Sequence, residues 1–415
     1  MLKTAAFLVG LALIFNTQRR ALVSSFGFGV ANAVVVAKML PVASPSMIKV
    51  GFSGRDVLKK DRPLLPETLG LITGVFYLFS LLLFIPFAFY HHLTDTFSDG
   101  QFPHHKLAAY LSAILSIQSM LMLGVADDLF DLRWRHKFFL PAIAAIPMLM
   151  VYYVNWGKTS IVLPPFLEMG STIDLGFLYY AYMGAFSIFC TNCINIYAGL
   201  NGLEVGQSVV LGVCVLINDY LYISGPPCPV MDNHLLSTYI MLPFVLASLP
   251  LLKYNWWPAR GFVGDTYCYF AGMVFAVVGI LGHFSKTLLS FCGPQIFNFL
   301  YSLPQLFHLV PCPRHRMPVY NEKTGKLEPS RADVSKCNSA VKTVLRALAK
   351  FRLIRVWEDA SKMEVSNMTL INLTLVHIGP LREDHLTMVL LSLQFAWGIL
   401  AIILRHQLAK LIFGA

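Results

Sequence analysis

Three carboxylates, Asp127, Asp128 and Asp131, fall within five residues at the end of the apolar run 107–126. An ionised carboxylate is costly to hold in hydrocarbon, so carboxylates where such a run ends are candidates for function. Arg133, Arg135 and Lys137 follow at once. Acid and base gathered where one helix emerges suit a metal-bound, phosphate-bearing substrate presented at a membrane surface. The plainer alternative is a solvated helix end whose aspartates pair with Arg133 and Arg135.

Four further segments carry polar groups of the same kind. Asn192 and Asn195 lie three apart and share a helix face; Gly199, Asn201, Gly202 and Glu204 follow. Amide oxygens are hard neutral ligands suited to Mg²⁺, and the glycines allow a tight turn close to a ligand. Helix capping plus a turn is the alternative reading. In the segment 255–266, Asp265 precedes an apolar run as a second Mg²⁺ candidate, and Phe262 offers a face for a nucleobase. Trp256 and Trp257 read as interfacial anchors. Arg314, His315 and Arg316 form a cluster that can grip phosphate or simply mark the basic side. A smaller segment joins Arg55, Asp56, Val57, Lys59 and Lys60 to Glu67, which stands directly before a span and either orients a basic ligand group or caps the helix.

The elements that must position these groups are membrane spans. Of 415 residues, 56% are hydrophobic and 13% charged, against about 25% charged in soluble domains. The pattern predicts an all-α polytopic membrane protein with ten spans, near 21–42, 68–90, 106–126, 138–154, 175–193, 205–224, 237–254, 266–283, 287–310 and 386–409. Pro294 and Pro304 should bend the ninth. Alternate loops then hold most of the 32 Lys and Arg, while the opposite loops hold only Lys106, Lys158 and Lys286. The positive-inside rule makes the basic side cytosolic and both termini lumenal. All five polar segments fall on that basic side. The net charge of +10 is therefore mostly a topology signal, and nucleic-acid binding is the poorer reading because the basic residues have no folded soluble domain to sit on.

Residues 1–20 read as a signal-like segment or lumenal extension, and 21–415 as a single membrane-embedded domain. The long loop 311–385 is expected to be a cytosolic substrate-recognition loop, with an amphipathic helix over 341–356 lying on the leaflet. Asn367 and Asn372 head glycosylation sequons that this topology keeps unmodified. Cys190 and Cys193 have redox spacing but no βαβ context, so they read as small buried hydrophobes.

The stretches GVADD (124–128), LRWRHK (132–137), NCIN (192–195), GLNGLE (199–204), FVGD (262–265), 271–286 and 311–316 occur in that order. With them the chain resembles the polyprenyl-phosphate N-acetylhexosamine-1-phosphate transferase superfamily, in particular its eukaryotic endoplasmic-reticulum branch. Bacterial members are similar more distantly and lack the Pro-Arg-His-Arg loop. The similarity is read over 39–415, with 331–366 divergent. It implies transfer of N-acetylglucosamine-1-phosphate from UDP-N-acetylglucosamine to dolichyl phosphate, the first step of lipid-linked oligosaccharide synthesis for N-glycosylation, blocked by tunicamycin. It implies a multi-pass protein of the endoplasmic reticulum membrane, in contact with membrane lipid and homodimeric, with its active site facing the cytosol. It further implies Asn195 and Asp265 as Mg²⁺ ligands and Arg314 as a pyrophosphate ligand. His315 and Arg316 would recognise the sugar, with Trp134 nearby. Phe262 would stack on uracil, and Gly199, Asn201 and Val57 would line the uridine pocket. Lys137 would meet the phosphate, Asp127 and Asp128 would be the conserved-motif aspartates, and Glu67 matches a functional position. Asp131 departs from the pattern, which has a neutral polar residue there, and so adds a charge near the site. A transporter is the rival class, but it would place polar residues at midspan and show inverted repeats. An inactive homologue would have lost Asp265, Asn195 or the Arg-His-Arg run.

Overall fold

The computed structural model describes residues 2–16, 21–94, 102–133, 137–162, 172–313, 316–359 and 362–413. The order is α1 (Leu2–Asn16), α2 (Ala21–Val50), β1 (Ser53–Arg55), β2 (Leu64–Pro66), α3 (Gly70–Ala88), α4 (Tyr90–Thr94), α5 (His104–Phe130), α6 (Leu140–Ala144), α7 (Ile146–Asn155), β3 (Ser160–Val162), β4 (Thr172–Asp174), α8 (Phe177–Ile196), α9 (Leu203–Ile223), α10 (Met231–Asn255), α11 (Gly264–Leu281), α12 (Ser285–Phe291) and α13 (Gly293–Leu306). Then come β5 (Val319–Asn321), β6 (Lys326–Glu328), β7 (Arg331–Asp333), α14 (Ser339–Lys350), β8 (Val356–Glu358), β9 (Met363–Ser366), α15 (Leu370–Ile378) and α16 (Glu383–Phe413).

The chain is an all-α polytopic membrane protein. Among the described residues, eight helices are long and apolar enough to cross a bilayer: α2, α3, α5, α8, α9, α10, α11 and α16. The other two expected spans are each broken. The span 138–154 divides into α6 and α7 at Ala145, because the Pro147 ring would collide with the carbonyl of Ile143 in a continuous helix. The span 287–310 divides into α12 and α13 at Cys292, two residues before Pro294. Pro294 therefore starts a helix rather than bending one, while Pro304 sits in the last turn of α13.

Helix α11 is the axis, 89% buried. Glycines let its neighbours approach backbone to backbone. A Cβ on Gly70 of α3 would sit 2.5 Å from Tyr267 Cβ, and one on Gly124 of α5 would sit 2.5 Å from Thr266 Cα. A Cβ on Gly272 would reach 2.5 Å from the Cys190 carbonyl oxygen of α8. These obstacles are backbone or Cβ atoms that cannot swing aside. Gly272→Ala is expected to destabilise the fold by about 3 kcal/mol, the upper end for overpacking. Thermal unfolding in detergent reads it, and an unchanged midpoint would refute the close α8–α11 contact.

Residues 311–385 depart from expectation. They are not a surface loop but a small folded unit, so the basic residues do have such a unit to sit on. Strands β7, β9 and β8 form an antiparallel sheet, with Ala332 opposite Val365 and Val356 opposite the same residue on the other edge. The amphipathic helix is Ser339–Lys350, capped by the Asn338 side chain accepting from the Val341 N–H at 2.8 Å. Its Leu345 is buried with Val334, Ile354 and Val365, and Val341 and Leu348 pack against that cluster. Most of the apolar face is thus spent on the sheet rather than on the leaflet, while Val344 stays exposed. Both sequon asparagines are buried and satisfied. Asn367 accepts from Gln305 at 2.7 Å, and Asn372 accepts from the Ser330 N–H at 2.9 Å and donates to the Arg316 carbonyl at 2.8 Å. In the folded protein neither side chain is free to carry a glycan.

The N-terminal segment is a helix packed on α2. Gly10 and Gly27 face each other so closely that a Cβ on either would crowd the other's carbonyl oxygen, and Lys3 donates to the Ala37 carbonyl at 3.2 Å.

Candidate active site

At one end of the bundle, the ends of α8, α9, α10 and α11 and the hairpin β1–β2 enclose a cavity of about 270 Å³. It collects Val57, Glu67, Asn195, Gly199, Asn201, Phe262 and Asp265, seven residues that the sequence scatters over 209 positions from 57 to 265. Phe262 is placed by a backbone exchange between the loops entering α3 and α11. The Phe262 N–H donates to the Pro66 carbonyl at 2.7 Å, and the Leu69 N–H donates to the Phe262 carbonyl at 3.1 Å.

The carboxylates have separate jobs. Asp128 is a cap supplied by another helix. Its Oδ1 accepts from the Asp265 N–H at 2.8 Å, and its Oδ2 accepts from the Thr266 hydroxyl at 2.6 Å and the Thr266 N–H at 3.3 Å. Both oxygens are spent on the first turn of α11, where a carboxylate also meets the positive end of the helix dipole. Gly264 makes this possible: its φ is +74°, and an added Cβ would collide with Asp128 Oδ2. Asp127 is buried and accepts from the Leu132 N–H at 3.0 Å, the Tyr269 hydroxyl at 3.0 Å and the Lys137 ammonium at 2.8 Å. Lys137 also reaches Asp265 Oδ2 at 3.2 Å. Burial pulls the Lys137 pKa down, but the hydrogen bond to Asp127 and the charges of Asp265 and Asp127 outweigh it, and the pKa stands above the ordinary lysine value. Burial, then the Asp128 charge, raises the Glu67 carboxyl above its usual range.

The residues fit a Mg²⁺ ion. Asp265 and Asn195 bring hard oxygens into one cavity, and among the described residues the Asn195 side chain makes no hydrogen bond that would occupy it. Also among them, no group of three His, Cys, Asp or Glu could hold a metal. That suits an ion held by one or two protein ligands, with water and substrate phosphates supplying the rest.

The far wall is a buried network. The Asn201 N–H donates to Glu383 Oε1 at 2.8 Å, and its side-chain amide donates to Asp56 Oδ2 at 3.1 Å. Lys59 bridges Asp56 at 3.3 Å and pairs with Glu383. Glu204 accepts from the Gly199 N–H at 2.9 Å, and Asn255 accepts from the Gly202 N–H at 3.0 Å. Gly199 has φ +111°, and Met317 fills the space a side chain there would need.

Comparisons with known proteins bear on this site. The family model described as glycosyl transferase family 4 matches residues 110–283. A Saccharomyces cerevisiae protein named UDP-N-acetylglucosamine–dolichyl-phosphate N-acetylglucosaminephosphotransferase is 52% identical, over 96% of this chain and 94% of its own length. The chain belongs to that phosphotransferase family. A Schizosaccharomyces pombe protein of the same name is 51% identical over 97% of this chain and 96% of its own. A Bacillus subtilis protein, named as a probable undecaprenyl-phosphate N-acetylglucosaminyl 1-phosphate transferase, is 30% identical over 43% of this chain and 45% of its own. The similarity to the phosphotransferase family thus extends well into residues 1–38, beyond the start at residue 39 read from motifs alone.

Of the site residues that the resemblance implies, Trp134, Arg314 and His315 lie outside the described residues. Arg316 is anchored through its backbone carbonyl to Asn372 and Ser330, next to Met317 in the cavity wall. Asp131 does not line the cavity. It ends α5 in the left-handed region with φ 47° and is exposed, a conformation Asp and Asn tolerate. Asp131→Asn is expected to leave turnover within about twofold and stability within about 0.5 kcal/mol; a larger change in the transfer assay would return this charge to the site. Reasoning from sequence placed Asp56 and Lys59 in a polar segment without giving them a role, and it missed Glu383 and Met317. Glu383 was findable, since a carboxylate directly before a span is the signal that singled out Glu67.

Proposed function

We infer that the protein transfers N-acetylglucosamine-1-phosphate from UDP-N-acetylglucosamine to dolichyl phosphate, giving N-acetylglucosaminyl-diphosphodolichol and UMP. The observation that carries this is end-to-end similarity, 52% and 51% identity, to two proteins bearing that name. The family's site positions that fall among the described residues gather at one end of the bundle, which supports the reading further.

In the reaction, an oxygen of dolichyl phosphate attacks the β-phosphorus of the nucleotide sugar, and the bond to UMP breaks. A phosphate monoester has a second pKa of about 6 and is mostly dianionic near neutrality, so no general base is required. Asp265 and Asn195 would hold Mg²⁺, which when bound neutralises the pyrophosphate oxygens and the charge on the departing UMP. Lys137 offsets the charge on the reacting phosphates. Asp127 holds Lys137 in place, and Asp128 fixes the turn that presents Asp265. Phe262 stacks on uracil, with Val57, Gly199 and Asn201 around the uridine. Arg314 would meet the pyrophosphate, and His315, Arg316 and Trp134 the sugar.

The excess of Lys and Arg on the pocket's side supports an active site on the cytosolic face of the endoplasmic reticulum membrane. A homodimer belongs to the same proposal and is read by mass photometry. The deciding assay is transfer of radiolabelled N-acetylglucosamine-1-phosphate to dolichyl phosphate by purified protein. UMP release and a lipid product are expected with Mg²⁺. Chelation should suppress turnover at least about a hundredfold, Mg²⁺ should restore it, and tunicamycin should block it. Protein that binds the nucleotide sugar yet forms no lipid product would overturn the assignment.

A further inference from the structure

A second cavity, of about 600 Å³, opens at the opposite end of the bundle. Its wall is made by the far ends of helices whose near ends build or approach the active site: Ala88 of α3, His105 and Lys106 of α5, Asp232 of α10 and His283 just after α11. Trp156 and Lys158, beyond α7, complete it. Its size falls within the range of small-molecule sites, and nothing in the transfer reaction uses it.

Its charge is unusual for its location. The loops of this face hold only Lys106, Lys158 and Lys286 of the chain's 32 Lys and Arg. Topology accounts for the depletion, but not for two of the three remaining lysines lining one cavity. Lys106 pairs with Asp232 at 2.9 Å. Among the described residues, Lys158 has no ion-pair partner. His283 lies within its electrostatic reach: burial, then the Lys158 charge, pushes the imidazole down to about 4, so it is neutral at pH 7. The His283 backbone is held at φ 58°, and its ring stands edge-on to Trp156, with centroids 5.0 Å apart. Its Nε2 is buried without a hydrogen-bond partner among the described residues. His283 is set by its neighbours, its Nδ1 3.4 Å from the Tyr152 hydroxyl that donates to the Lys158 carbonyl. That leaves the Lys158 ammonium, without an ion-pair partner among the described residues, on the wall of the cavity for an anionic group.

We propose that this cavity binds the headgroup of an anionic phospholipid, its phosphate held by Lys158 and its acyl chains leaving across Leu235 and Leu236. The wall is largely apolar, with Phe89, Tyr110 and Tyr239 facing the same space, so a free inorganic anion would leave most of it unsolvated. A choline headgroup would bring a second positive charge toward Lys158.

The test is native mass spectrometry of the full-length protein, delipidated in detergent and titrated with phosphatidylglycerol or phosphatidylcholine. One phosphatidylglycerol per protomer is expected to be retained, with about fivefold preference over phosphatidylcholine, the share of one lysine. Lys158→Glu should erase the preference and Lys158→Arg should keep it. Lys158 lies far from the transfer site, so unchanged turnover in both variants certifies the fold. Equal retention of the two lipids by the unmodified protein overturns the proposal without recourse to any variant. So does a preference that survives Lys158→Glu. Thermal stabilisation by millimolar inorganic phosphate, lost in Lys158→Glu and with no lipid retained, would make the ligand a small anion and overturn the lipid assignment.

Discussion

Asp265→Ala is expected to lower turnover at least about a hundredfold, the scale of losing one preorganised charge at a phosphoryl-transfer centre, while the protein stays folded in the membrane. The structure separates the two effects. Asp128 caps α11 through the backbone N–H of residue 265 and through Thr266, and alanine keeps that N–H. The Asp265 side chain is a third exposed, and its hydrogen-bonding partner among the described residues is Lys137, which retains Asp127. The thermal unfolding midpoint should therefore barely move. Near-normal transfer with Mg²⁺ present would remove Asp265 from the metal site.

Lys137→Met should strike both stability and turnover. It strands Asp127, whose side chain is 1% exposed, without its counter-charge. The Tyr269 and Leu132 donors remain, and Lys137 is itself partly open to water. The cost is thus about 3 kcal/mol, the low end for breaking a buried pair. Turnover should fall about a hundredfold or more. Adding Asp127→Asn to Lys137→Met removes the stranded charge, so the double variant is expected to regain stability and not activity. Unfolding midpoints and transfer rates of the two single variants and the double variant decide it. If the double variant is no more stable than Lys137→Met, the charge pair is not what Lys137 contributes to the fold; if Lys137→Met alone retains turnover, Lys137 does not meet the phosphate.

What could be read from the chain follows from how local each signal is. Apolar runs announce most spans because bilayer thickness sets their length. The glycines at 199 and 202 announce a tight turn, and both have positive φ; that Gly264 also turns the chain was not read. The two broken spans carry prolines, yet whether proline bends or divides a helix depends on whether neighbours restore the freed carbonyls, which composition does not record. The fold of 311–385 was illegible because its strands are three or four residues long, too short for alternation to register. The amphipathic pattern in that region was seen, but period alone does not tell a sheet from a lipid leaflet. Asp128 read as a catalytic suspect because sequence shows a carboxylate's position and not how many donors it already serves. The Asp56–Asn201–Glu383 network joins residues 145 and 182 positions apart, a distance over which no motif speaks.

That network also sets an order of events during synthesis. Asn201 needs Asp56 from the first third of the chain and Glu383 from its last helix. Membrane helices leave the ribosome one after another, and local units form as they emerge. The nucleotide pocket therefore stays open-walled until α16 has been made and inserted. A nascent chain holding every other site residue would still lack Glu383, the acceptor for the Asn201 backbone N–H and one of the two partners of Lys59. Nucleotide-sugar affinity should thus appear late and abruptly in a series of C-terminally arrested chains, making competence for the reaction a readout of completed insertion.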